Sequence, residues 1–107
     1  MTMYRQGDVL LVRTDRPLGG QARPVPREAG RVVLARGEAT GHAHAIDSPL
    51  AELFEEQDGR LYLRVSAGAE PVRLIHQQHD PIALPPGVYE VRRQHEYTPE
   101  AIRRVID

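Results

Sequence analysis

Five histidines occur in this 107-residue chain, and four of them fall in two tight spacings. "GHAHAI" sets His42 and His44 one residue apart, and "HQQHDP" sets His76 and His79 three apart. A neutral imidazole is the commonest protein ligand for zinc, nickel, copper or iron. Alternate residues of a strand share a face, so His42 and His44 present two ring nitrogens on one side, in phase with Ile46. His76 and His79, from a distant segment, then complete or nearly complete a tetrahedral set. Glu38, Asp47 and Asp80 are the acidic neighbours expected to orient the rings. Three ligands and an open position activate a bound water, which is hydrolase or lyase chemistry; four ligands close the site. The competing reading is that these are half-buried strand histidines bonded to backbone, with no ion at all.

Other chemistries find less support. The chain has no cysteine, which excludes disulfides, thiolate metal sites and a cysteine nucleophile. Ser48 and Ser66 are its only serines and neither sits in G-x-S-x-G. The Gly37–Gly41 stretch lacks the Lys-Ser/Thr ending of a phosphate loop and reads as a turn. His95, in phase with Tyr89, Val91 and Tyr97, reads as structural.

The elements that must position these histidines are short. Nine glycines and nine prolines divide the chain into pieces suited to an all-β domain. "GDVLLVRT" is the first expected strand, apolar on both faces and therefore central or covered by a partner. Residues 15–30, dense in Pro and Gly, read as a long surface loop. "RVVLAR", "HAHAI", "RLYLRV", "VRLIH", "IAL" and "VYEVRRQHEY" follow as strands, and "LAELFEE" reads as a strand with one helical turn as the alternative. His76 is in phase with Val72 and Leu74, and Asp80-Pro81 supplies a turn that lets His79 come back towards it. Thr98, Pro99 and Glu100 open a short C-terminal helix with Ile102, Val105 and Ile106 as its apolar stripe. Residues 1–107 are thus expected to form one small β-barrel or sandwich ending in a helix.

Composition narrows the setting. A formal charge of −1, with 40% hydrophobic and 27% charged residues, is an ordinary soluble balance and argues against nucleic-acid binding. All fourteen basic residues are arginine, which fits a GC-rich coding bias. No signal peptide or membrane span is expected, and the cytoplasm is the default location.

Nearly the whole chain resembles a family of short, uncharacterised bacterial proteins, through "YRQGDVLL", "GEATGHAHAI", "HQQHDPIALPPGVYEV" and "RRQHEYTPEAIRRV". That resemblance implies that His42, His44, His76 and His79 belong to recurring motifs, and it implies no activity. "GHAHAIDSPLAE" and "PPGVYE" resemble in part the two motifs of cupin barrels, with Glu90 where the second motif has histidine. "GDVLLVR" followed by "GRVVLARGE" is similar to the opening of the co-chaperonin barrel.

The expected function is therefore binding of a divalent transition metal (zinc, nickel, iron or copper) by His42, His44 and His76, with His79 as fourth ligand or acid/base group and hydrolase or lyase use of a bound water as an extension. A small-molecule ligand would fit that extension. The alternative is a non-catalytic interaction module with structural histidines, presenting the 15–30 loop and an exposed edge to a protein partner. A homo-oligomer is compatible with both.

Overall fold

A computed structural model describes residues 2–37 and 41–93. Among the described residues ten strands follow one another: β1 (Met3–Gln6), β2 (Val9–Thr14), β3 (Arg23–Pro24), β4 (Val32–Arg36), β5 (Ala43–Ile46), β6 (Ala51–Glu55), β7 (Leu61–Val65), β8 (Val72–Leu74), β9 (Ile82–Leu84) and β10 (Gly87–Arg93). There is no helix among the described residues. The expected C-terminal helix, with Tyr97 and His95 before it, lies outside them.

Six strands make one antiparallel sheet in the order β1-β2-β10-β7-β6-β3. β1 and β3 are its edges, so of the barrel or sandwich expected from the sequence the closed barrel does not form. The other four strands pair as two hairpins, β4 with β5 and β8 with β9. These hairpins are joined by a bridge in which Ala45 and Ile75 exchange N–H···O bonds of 3.0 and 2.9 Å.

Both groups of strands feed the same buried cluster. Val9 and Leu11 of β2, Leu63 of β7 and Tyr89 of β10 meet Ile46, Val72 and Leu74 of the hairpins there. Each fully buried aliphatic side chain contributes roughly 1.5–3 kcal/mol, so this cluster is what ties the hairpins to the sheet. The apolar double face of β2 is explained by its place between β1 and β10, with Val9, Leu11 and Val12 all buried.

Two elements depart from the sequence reading. β1 pairs with β2 through a two-residue hairpin at Gly7-Asp8, where Gly7 has φ 58°. Glycine at the first central position is what a type II′ hairpin turn takes. Its residues MYRQ alternate too weakly to announce a strand, and an edge strand tolerates such polar residues. The 15–30 segment is also not structureless: β3 adds to β6, Val25 N–H donates to Leu53 O at 2.8 Å, and Glu28 bridges Arg31. Pro24 lacks a donor, which a sheet edge accommodates.

Candidate functional site

The bridge between the two hairpins fixes the geometry of the histidines. Because Ala45 faces Ile75 in an antiparallel pair, the residues on either side, His44 and His76, come directly opposite. Directly opposed residues share a face, and a pair flanking a hydrogen-bonded one stands close. Their ring centres are 4.2 Å apart, tilted by 33°. His42, two residues before His44, packs edge-on against His76 at 5.6 Å. Bends at residues 77–79 turn the chain, placing His79 at 4.7 Å from His76 and 6.0 Å from His44. All four histidines singled out in the sequence are therefore brought together, through a ladder with His76 at its middle.

A bulge in β4 shapes the same register. The pairing moves from Val33↔Ala45 to Ala35↔His44, leaving Leu34 as an extra residue. Every residue of β5 is buried, so His44 is enclosed on both flanks, with a side chain 6% exposed.

Three residues of the β1–β2 hairpin complete the site, and none carries a signal of ligand chemistry in the sequence. The Gln6 side-chain amide is buried and donates to Leu74 O and Asp80 O, both at 3.0 Å. Its Oε1 then faces His44 Nδ1 at 2.9 Å. Because the two carbonyls claim the amide N–H groups, the Gln6 oxygen must accept, and His44 must carry its proton on Nδ1. Nε2 of His44 lies 3.4 Å from Asp8 Oδ1. The other Asp8 oxygen accepts from Arg93 of β10 at 3.2 Å. Gly7 lies under the rings. A Cβ there would stand 2.8 Å from His79 Nε2 and 3.3 Å from His44 Cε1.

The electrostatics of two of the rings, His44 and His76, favour their neutral forms. Burial, and then the neighbouring His76, lower the His44 pKa from 6.5 to about 4, against the opposing pull of Asp8. His76 is also lowered, by burial first and then by His79 and His42. His76 has the opposite tautomer to His44: its Nδ1 accepts the Gln78 backbone N–H at 3.0 Å, so its proton sits on Nε2. Neutral imidazoles are the form that metal ions take.

Among the described residues, no three His, Asp or Glu side chains form a ready-made metal cage. The reason is geometric. Two imidazoles sharing an ion at bonds of about 2.0–2.1 Å hold their ring centres about 5 Å apart, whereas His44 and His76 are stacked closer than that. The expected orienting carboxylates also differ from those present. Asp47 is exposed, Asp80 contributes its backbone carbonyl, Glu38 lies outside the described residues, and Asp8 takes the position beside His44. Elsewhere, a groove of about 370 Å³ runs between Gly19–Ala22 and Glu56–Asp58, with no histidine in its lining. No helix among the described residues is long and apolar enough to cross a membrane.

No curated protein and no solved structure matches the chain. A family model described as "Domain of unknown function (DUF8820)" matches residues 5–94, a span that begins just before Gln6 and takes in the whole histidine cluster. The chain belongs to that family of uncharacterised domains.

Proposed function

We propose that this protein binds a divalent transition metal ion through His42, His44, His76 and His79. The supporting observation is the meeting of four imidazoles from two remote segments, linked through ring contacts of 4.2–6.0 Å in which His42 touches His76, with one of them held in a single tautomer by a buried glutamine. Second-partner hydrogen bonds of that kind orient ligating histidines. Loading requires His76 to swing off His44, and the exposed, bent 77–79 segment is where that freedom resides. An all-nitrogen donor set suits zinc, nickel, iron or copper(II) rather than copper(I). Binding is the primary role. A metal-bound water for hydrolase or lyase chemistry is its extension, open only if one coordination position stays free of protein.

A second reading has its own support. The His44–Gln6 bond and the His76–Gln78 bond each satisfy a ring nitrogen without an ion, as structural histidines in a protein-interaction module would. Elemental analysis of the untagged chain beside a His42→Ala/His44→Ala variant separates the two. Metal binding predicts close to one equivalent in the parent and its loss in the variant. A metal-free parent whose melting temperature ignores added zinc, nickel and chelator overturns it.

A further inference from the structure

We propose that the Asp8 carboxylate is the anionic ligand of this site, sharing a divalent cation with His44 Nε2; the proposal rests on the metal-binding reading above. Hydrogen-bond bookkeeping leads there. Gln6 spends both amide hydrogens on Leu74 O and Asp80 O, so it can only accept from His44; Nδ1 of His44 therefore carries a proton, and Nε2 is the ring nitrogen left to face a ligand. Nε2 stands 3.4 Å from an Asp8 carboxylate oxygen. A cation with bonds of about 2.0–2.1 Å and near-tetrahedral angles spans donor atoms roughly 3.3 Å apart, which is the separation found.

The surroundings fit the same role. Arg93 holds Oδ2 at 3.2 Å and so orients the plane of the carboxylate towards His44. The missing side chain at Gly7 lets His79 Nε2 descend over the turn beside Asp8, where a third donor belongs. One carboxylate also supplies negative charge that neutral imidazoles lack. The rival occupant of the gap is the Nε2–H of His76, whose ring centre is 4.2 Å from that of His44.

The test uses the full-length untagged chain, labelled with ¹³C at aspartate carboxyls and titrated with zinc chloride. The Asp8 carboxyl signal, identified by its absence in Asp8→Asn, shifts and saturates at one equivalent, and Asp8→Asn lowers zinc affinity at least tenfold by calorimetry. Should Asp8→Asn fail to fold, the signal that moves in the parent is assigned from Asp8→Glu instead. A parent that takes up zinc with the Asp8 carboxyl unmoved and Asp8→Asn affinity unchanged overturns this assignment and leaves the histidine site standing. A parent that takes up no zinc overturns both.

Discussion

Two hairpin turns of the same sheet, Gly7-Asp8 between β1 and β2 and residues 56–60 between β6 and β7, are built in opposite ways. The β6–β7 turn closes mostly on itself. Glu56 N–H donates to Arg60 O, Gly59 N–H to Glu56 O, and Arg60 N–H to Asp58 Oδ1, all within five residues of sequence. Its long-range contacts, Gly19 N–H to Glu56 and Gln57 to Gln21, are between exposed groups. The Gly7-Asp8 turn instead reaches across the chain. Gln6 bonds residues 68 and 74 positions away, and Asp8 meets Arg93 85 positions away. A turn that only reverses the chain needs local bonds and a glycine. One that organises a site carries buried polar groups whose partners come from elsewhere, and losing one partner strands the rest.

The sharpest break of this contrast is Gln6→Leu. It removes the Gln6 bonds to two carbonyls and strands the His44 Nδ1–H, and we expect a loss of about 3–5 kcal/mol in urea unfolding. Zinc affinity falls with it, because the tautomer of His44 is no longer fixed. A loss under about 1 kcal/mol would show that the buried amide network is not what secures this turn.

Acidification acts on the same residue. The folded-state pKa of His44, about 4, lies below its ordinary 6.5, so between those values the unfolded chain takes up a proton that the folded chain refuses. Stability therefore rises with pH across that window and is lost as pH falls towards 4, by about 3 kcal/mol at most. The lowered His76 acts in the same direction. Unfolding midpoints at pH 7 and 4.5, for the parent and for His44→Gln, measure this. An equally steep pH dependence in the variant contradicts it.

Two glycine substitutions sharpen the comparison further. Gly7→Ala is strained by its positive φ and costs about 1–2 kcal/mol; it also pushes His79 off the turn, so zinc affinity drops tenfold or more. Gly59→Ala, at φ 87° and facing open space, costs about 1 kcal/mol and leaves zinc affinity unchanged. Equal effects of the two on zinc binding would remove the distinction between the turns.

Strand periodicity was enough to put His42 with His44 and to align His76 with the apolar face of its strand, since a period of two is local. What periodicity cannot give is register between strands. The opposition of His44 and His76 depends on the Ala45–Ile75 bridge and on the extra Leu34 in β4, both consequences of how the hairpins pack. Gln6, Gly7 and Asp8 were illegible for a related reason. Polar residues flanking a glycine read as an ordinary turn, and only a partner 68 residues away reveals the buried amide. Barrel closure failed because strand count does not decide which strands pair, and the two hairpins bond to each other rather than to β1 or β3. "RPVP", with two prolines in four residues, disguised a short edge strand as loop.

The most direct measurement is long-range ¹H–¹⁵N NMR of the histidine rings in the full chain, before and after one equivalent of zinc. Without metal, the protonated nitrogen should be Nδ1 in His44 and Nε2 in His76. With metal, the ring nitrogens of His42, His44, His76 and His79 should shift together and saturate at one equivalent. Rings that keep their metal-free shifts, or a response confined to the exposed His79 under excess zinc, would contradict a shared ion.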